Sequence, residues 1–146
     1  MTLKEIKQVK IIMIEDDHGH AGLIRSNLED SGVENEIIHF DNGKEALDAI
    51  KQNNNGIRPS HIIILLDLNL PGMDGYQVLQ HLRSQEETKI TPVFILTTTD
   101  NENEITKCHE LGCNAYITKP VEYNDFQNAI KSLGDIFSIF KIPETL

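Results

Sequence analysis

Apolar residues along this chain are gathered into short unbroken runs that alternate with amphipathic stretches. The run at residues 62–66, IIILL, is too short for a helix and is rich in β-branched side chains. Such a run is typical of a strand that is buried on both faces of a parallel sheet. Comparable segments predict four further strands, at residues 9–14, 36–40, 93–96 and 115–118.

Each predicted strand is followed by a stretch with apolar residues at every third or fourth position. After the first strand, Ala21, Ile24 and Leu28 follow this helical spacing, and Gly32 stands as a stop signal. Further helices are predicted over residues 43–52, 76–85, 101–111 and 123–140. This alternation predicts an α/β, flavodoxin-like, doubly wound (βα)5 fold with a five-stranded parallel sheet in the order 2-1-3-4-5.

Length and composition are those of an ordinary soluble domain. The 146 residues suit a single domain, residues 1–146, in which residues 135–146 extend the last helix. A net charge of −10 argues against non-specific binding to nucleic acid, which requires excess lysine and arginine. The chain has neither an apolar run as long as a membrane span nor a signal peptide, so no membrane association and a cytoplasmic location are predicted.

The cysteine and histidine residues offer weaker signals. Cys108 and Cys113 lie five positions apart beside His109, without a second pair of candidate ligands. Reduced, packed thiols are therefore predicted, with a metal site as the alternative. His18 and His20 stand at the start of the first predicted helix. Solvated surface positions are expected there, and phosphotransfer or metal binding is the alternative.

Polar side chains stand where four of the predicted strands end. They are Glu15 and Asp16 after the first strand, Asp67 after the third, Thr97 after the fourth and Lys119 after the fifth. Because the carboxyl ends of parallel strands meet at one edge of a sheet, these side chains are predicted to converge. Clustered carboxylates repel one another by about 4 kcal/mol per close pair at a surface-like dielectric constant. A hard divalent cation relieves that repulsion, and an oxygen-only site with room for water suits Mg²⁺.

This combination of groups suits phosphoryl transfer. A metal ion and a lysine neutralise the phosphoryl oxygens, a threonine hydroxyl donates a hydrogen bond, and one carboxylate attacks in line. The alternative is a set of unrelated strand caps. Any of the residues alone fits that alternative, whereas all of them together do not.

From residue 10 to about residue 133 the chain resembles the receiver domains of two-component response regulators. That family has an acidic pair after the first strand, an aspartate in a D-x-x-x-P-x-x-x-G-like loop, Thr or Ser after the fourth strand and Lys-Pro after the fifth. The corresponding elements here are Glu15-Asp16, the segment DLNLPGMDG at residues 67–75, Thr97 and Lys119-Pro120. The phrases LGCNAYITKPV and FSIFKIP further resemble small receivers that partner bacterial phytochrome-type histidine kinases.

The resemblance implies a phospho-acceptor and a set of metal ligands. Asp67 would accept the phosphoryl group. Asp16, Asp67 and the main-chain carbonyl of Asn69 would ligate Mg²⁺, with Glu15 acting largely through water. Glu15 stands where an aspartate is more common, and its extra methylene changes its reach but not its charge.

The resemblance also implies phosphoryl contacts and a switch. Thr97, Thr98 and Lys119 would contact the phosphoryl oxygens. Tyr116 occupies the position of the family's switch aromatic, which would fill the space that Thr97 leaves when it moves toward the phosphoryl group. A plain core aromatic is the alternative for Tyr116.

A signalling protein rather than an enzyme is therefore expected, apart from its own phosphorylation and autodephosphorylation. The donor would be a histidine kinase, of the phytochrome type by the narrower likeness, and the signal would pass to a downstream protein or phosphotransfer partner. One alternative is a small aspartyl-phosphate phosphatase, but Asn69 stands where such an enzyme needs a second acid. Another is a docking module that works without phosphorylation, although every pocket residue is present.

The end of the chain suggests self-association. Five apolar residues recur at spacings of four and three along the last predicted helix: Phe126, Ile130, Leu133, Phe137 and Phe140. Phe137 and Phe140 lie beyond the length that a receiver core needs. A symmetric homodimer through the fourth helix, fifth strand and fifth helix is predicted, and a tail that folds back on its own domain is the alternative.

Overall fold

The structure, a computed structural model, describes residues 9–132. Its strands are β1 (Lys10–Ile14), β2 (Ile37–Phe40), β3 (Ile62–Asp67), β4 (Val93–Thr97) and β5 (Ala115–Thr118). All pair in parallel, in the order β2-β1-β3-β4-β5. The predicted flavodoxin-like sheet and its strand order are thus confirmed.

Helices follow each strand, as the apolar spacing predicts. They are α1 (His18–Asp30), α2 (Gly43–Lys51), α3 (Gly75–Ser84), α4 (Glu102–Glu110) and α5, which is described over Tyr123–Ser132. The polar segment between α2 and β3 contains two short 3-10 turns, Asn54–Gly56 and Pro59–His61.

The sheet is covered on both faces. Side chains such as Ile11 and Ile63 pack on one face against α1 and α5. Neighbouring residues such as Ile12 and Ile64 pack on the other face against α2, α3 and α4. Every residue of β3 is buried, which explains why the sequence of this strand is continuously apolar rather than alternating.

The pairing register aligns the carboxyl ends of the strands that carry the candidate residues. Ile14 pairs with Leu66, and the next residue, Asp67, pairs with Leu96. Thr97 then pairs with Thr118. The residues that end β1, β3, β4 and β5 therefore lie at one level, on one edge of the sheet.

Part of the prediction lies outside the described residues. This applies to Phe137 and Phe140, to the tail extension at residues 135–146 and to the last helix beyond residue 132. Within residues 9–132, no helix is both long and apolar enough to cross a membrane.

Candidate functional site

The turn after β1 carries a buried acid next to an exposed one. Glu15 is fully buried, whereas Asp16 is exposed. The backbone of Glu15 is tied to β2 at both ends: its N–H donates to the Phe40 carbonyl at 3.0 Å, and its carbonyl accepts from His39 Nε2 at 2.7 Å. Because β2 holds this backbone, the Glu15 side chain is directed into the site.

Asp67 ends β3 inside the site. It is only 4% exposed, and its Oδ1 accepts a hydrogen bond from the Asn69 backbone N–H at 3.1 Å. The carboxylate therefore caps the following turn with Oδ1 and still offers Oδ2 to Lys119. Gly75 lets that loop fold back, because a Cβ on this residue would lie 2.4 Å from the Asp67 carbonyl oxygen.

Lys119 reaches the same point from β5. Its backbone N–H donates to the Thr97 carbonyl at 2.7 Å, which continues the β4–β5 pairing. Its side chain is 7% exposed, and Nζ donates to Glu15 Oε1 and, at 3.2 Å, to Asp67 Oδ2. His20 Nδ1 lies 3.2 Å from the same ammonium nitrogen.

The electrostatics of this cluster show an excess of negative charge. Burial raises the pKa of Glu15 to about 7, and its hydrogen bond with Asp67 acts in the same direction, while Lys119 opposes the shift. One ammonium is thus insufficient to keep both buried carboxyl groups ionised. A divalent cation would supply the missing positive charge.

The donor set fits such a cation. Glu15, Asp16 and Asp67 each offer a carboxylate oxygen, and these oxygens all lie within 4.8 Å of one another. Oxygen-only ligands suit hard cations such as Mg²⁺. Asp16 is open to solvent, so the site retains room for the water ligands that Mg²⁺ keeps. It is the one group of this kind found within residues 9–132.

A family model for the response regulator receiver domain matches residues 11–131 of the chain. The chain belongs to the response-regulator receiver family. Its members accept a phosphoryl group on an aspartate and work with histidine kinases.

Individual relatives agree with this assignment. A receiver domain from Rhodospirillum rubrum is 48% identical, with a TM-score of 0.71, and the match covers 94% of this chain and 99% of that one. The bacteriophytochrome response regulator AtBRR is 36% identical, with a TM-score of 0.78 and coverage of 87% and 93%. The response regulator Rcp1 of Synechocystis is 32% identical over 84% of each chain. Its Mn²⁺-bound structure has a TM-score of 0.66 and 31% identity, covering 91% of this chain and 97% of that one.

In this receiver domain the predicted phosphoryl-contacting threonines occupy different environments. Thr97 is fully buried, and its Oγ1 accepts from the Thr99 N–H at 3.3 Å. Thr98 is exposed and shares a cavity of about 210 Å³ with Lys119. Thr97 is thus the last residue of β4 and lies below the surface. Thr98 follows it and lies on the surface beside Lys119.

Tyr116 connects β5 to the loop that follows β4. Its hydroxyl donates to the Thr99 carbonyl at 2.8 Å, and the ring is partly buried against the α2–α4 side of the core. Burial raises the pKa of this phenol, and a hydrogen bond with Thr97 opposes the shift. The predicted switch residues, Thr97 and Tyr116, therefore both form a hydrogen bond with the backbone of Thr99.

His18 and His20 are both exposed, as predicted for solvated positions. His18 is 74% exposed, as expected for a solvated position. His20 is 45% exposed but contacts Lys119, and His39 bonds to the Glu15 carbonyl. No local signal in the sequence marks these two contacts, because each joins residues that are far apart in the chain.

The cysteine prediction is confirmed. Cys108 and Cys113 are free thiols and are both buried. Burial raises the pKa of Cys108 to about 11 and that of Cys113 to about 12, so both stay protonated at neutral pH. His109 Nδ1 lies 3.7 Å from Cys113 Sγ, and no set of three metal ligands forms around them among the described residues.

Proposed function

We propose that this receiver accepts a phosphoryl group on Asp67. A carboxylate oxygen of Asp67 attacks phosphorus, the P–N bond of a donor phosphohistidine breaks, and the leaving imidazole takes a proton from solvent. One observation supports this assignment above the others: Asp67 alone lies both in the acidic cluster and at the end of β3, 3.2 Å from the Lys119 ammonium.

Glu15, Asp16 and Asp67, with the main-chain carbonyl of Asn69, are the proposed ligands of Mg²⁺. Bound there, the ion would neutralise phosphoryl oxygens during transfer. The close carboxylates and the raised pKa of Glu15 support this proposal, because both indicate an unmet need for positive charge.

Four further residues are proposed to stabilise and report the phosphoryl group. Lys119 and the hydroxyl of Thr97 donate to its oxygens, with Thr98 beside them at the surface. Thr97 leaves its hydrogen bond with Thr99 when it turns toward the phosphoryl group. Tyr116, which is bonded to the same loop, then changes position and carries the signal to the α4–β5 surface.

Labelling of Asp67 is the direct test. The metal-containing wild type, incubated with acetyl phosphate, should form one labile acyl phosphate, and intact-mass measurement should show a single addition. Asp67→Asn should remove the addition while leaving the circular dichroism spectrum unchanged. The matched control is Asp41→Asn, an exposed acid on the same side of the sheet. Full labelling of Asp67→Asn would refute the assignment.

Metal binding is tested separately at the exposed ligand. Asp16→Ala should weaken Mg²⁺ binding at least about tenfold, because it removes one charged ligand of the set. Its stability without metal should equal or exceed that of the wild type, because one source of charge repulsion is gone. Isothermal titration and urea unfolding in EDTA measure the two quantities. A large loss of metal-free stability would instead identify Asp16 as a structural cap.

The turnover of small phosphomonoesters distinguishes a regulator from a phosphatase. Such an enzyme needs a general acid near the acceptor, and the neutral Asn69 stands two residues after Asp67. We therefore expect one phosphoryl addition per chain and no steady release of product from p-nitrophenyl phosphate.

For the donor, we propose a phytochrome-type histidine kinase in the cytoplasm. The support is the similarity to AtBRR, a bacteriophytochrome response regulator, together with the pocket that suits a phosphohistidine donor. The phosphoryl group or the conformational signal then passes to a downstream protein or a phosphotransfer partner. Transfer from a purified kinase of this type, compared with an unrelated histidine kinase, measures the preference.

We also propose that the single domain forms a homodimer through α4, β5 and α5. β5 is an edge strand, and its residues Ala115 and Tyr116 are only partly buried within the domain. Sedimentation of the wild type and of a Phe137→Asp/Phe140→Asp variant tests the apolar tail as part of that interface. Identical monomers at high micromolar concentration, with Asp67 modified or not, would rule out the dimer.

A further inference from the structure

His20 stands at the mouth of the Asp67 pocket and has no role in the function proposed above. Its Nδ1 lies 3.2 Å from Lys119 Nζ, although the two residues are 99 positions apart. An ammonium group has only donors, so Nδ1 must be the acceptor, and a neutral His20 ring carries its proton on Nε2. This contact is therefore a hydrogen bond from lysine to histidine.

This bond completes the coordination of the ammonium. Its three N–H donors have three acceptors: Glu15 Oε1, Asp67 Oδ2 and His20 Nδ1. Two acceptors belong to the proposed metal and phosphoryl site, so their charge and partners change when that site is used. His20 is the acceptor outside the acidic cluster.

The backbone of His20 is held in place independently of this contact. Its N–H donates to Asp17 Oδ1 at 3.0 Å, which caps the start of α1. Its side chain lines a cavity of about 210 Å³ together with Leu23, Val121 and Lys119. The acceptor atom is thus presented from a fixed helix end rather than from a loop.

We propose that His20 is a positioning residue for Lys119: it holds the ammonium beside Asp67 through Nδ1 and so speeds phosphoryl transfer. This inference rests on the proposed function of Asp67. It assigns no proton transfer to His20, which acts only through the geometry of Lys119. The buried aliphatic stem of Lys119 fixes one end of the side chain, and the three hydrogen bonds fix the other.

A pair of isosteric variants tests this proposal. Asparagine places its carboxamide oxygen at the same number of bonds from Cα as Nδ1, and leucine has the same branched shape without an acceptor. His20→Leu should slow phosphorylation by acetyl phosphate about tenfold or more, as expected for one lost hydrogen bond to a charged group. His20→Asn should remain within about twofold of the wild type, because the acceptor is restored.

A second readout does not depend on phosphorylation. In metal-free protein with 15N-labelled lysine, the wild type and His20→Asn should show a resolved Lys119 ammonium signal, identified by its loss in Lys119→Met. His20→Leu should broaden it through faster exchange with water. His18→Leu is the matched control, because His18 is exposed on the same turn and contacts Asp41 and His39 instead of Lys119.

The possible outcomes separate the two proposals. If the wild type is not labelled on Asp67, the proposed function fails, while the ammonium signals still test the His20 contact. If labelling succeeds but His20→Leu matches the wild type in both rate and ammonium signal, the positioning role is wrong. The same holds if His20→Asn behaves like His20→Leu, or if the wild type shows no Lys119 signal.

Discussion

Two basic side chains, Lys119 and Arg83, lie at opposite ends of the sheet, and different kinds of hydrogen-bond acceptor surround them. At the carboxyl end, Lys119 contacts the carboxylates of Glu15 and Asp67. At the amino end of β4 and β5, the acceptors of Arg83 in α3 are neutral oxygens. These are the carbonyls of Gly112 at 2.9 Å and Thr88 at 3.1 Å, and Asn114 Oδ1 at 3.1 Å.

The acceptors around Arg83 all form hydrogen bonds within the fold. The carbonyl acceptors belong to backbone segments that cannot move without disturbing the fold, and Asn114 Oδ1 also accepts from the Val93 N–H at 2.8 Å. Burial lowers the pKa of Arg83, but a guanidinium keeps its charge at neutral pH. The Arg83 cluster links α3 to the loop before β5.

The Lys119 cluster differs in its charge. Its three carboxyl groups face one ammonium, and burial, with a contribution from Asp67, raises the pKa of Glu15 to about 7. A cation or phosphoryl group can therefore gain binding energy there. Neutral acceptors thus surround the partly buried Arg83, whereas ionisable acceptors surround the buried Lys119, where the proposed phosphoryl transfer would take place.

The largest difference between the clusters should appear on removing Lys119. Lys119→Met should slow phosphorylation of Asp67 by acetyl phosphate about 100-fold or more, because a preorganised charge on the phosphoryl oxygens is lost. Stopped-flow or mass-spectrometric kinetics measure the rate, with exposed Lys89→Met as the control. A rate within about threefold of the wild type would show that Lys119 does not contact the transferred group.

Removing Arg83 should lower the stability of the fold rather than the phosphorylation rate. Arg83→Met should lower the free energy of unfolding by about 3 kcal/mol, because three hydrogen bonds from a charged group are lost and partly buried carbonyls are left without partners. The phosphorylation rate per folded molecule should stay near that of the wild type. Arg58, which is exposed, provides the control substitution Arg58→Met. Urea unfolding and phosphorylation kinetics, measured in the same buffer, test both expectations. A loss of activity without a loss of stability in Arg83→Met would contradict the comparison.

A smaller effect should appear as a pH dependence confined to the carboxyl end. The pKa of Glu15 is about 7 in the folded protein, against an ordinary value of 4.5, so the folded form binds more protons than the unfolded chain between these values. This contribution is fully present below about pH 4.5 and is lost as the pH rises through 7. The metal-free free energy of unfolding should therefore decline over this window.

Glu15→Gln supplies the matched comparison because its amide stays neutral at every pH. The stability of Glu15→Gln relative to the wild type should rise between about pH 5 and pH 8, measured by urea unfolding in EDTA. Other titrating groups are common to both proteins and cancel in the difference. Parallel curves for the two proteins would show that Glu15 does not titrate in this range.

The sequence by itself determined the fold and the position of the site. Parallel strands with doubly buried faces require continuous apolar runs, so the runs at β1, β3 and β4 were recognisable without any contact information. Parallel pairing brings carboxyl ends to one edge, which is why Glu15, Asp67 and Lys119 could be predicted to meet. The bounds of α2, α3 and α4 and the start of α5 could be predicted to within a residue or two, because caps and apolar spacing are local signals.

Only the tertiary structure decided how the side chains at that edge are distributed. Glu15 and Asp16 are adjacent in sequence, yet one is fully buried and the other exposed, because β2 anchors the Glu15 backbone. The bond between His20 and Lys119 joins α1 to the residue after β5 and leaves no periodicity or motif to read. Such contacts depend on side-chain direction across elements far apart in the chain, which local sequence patterns do not encode.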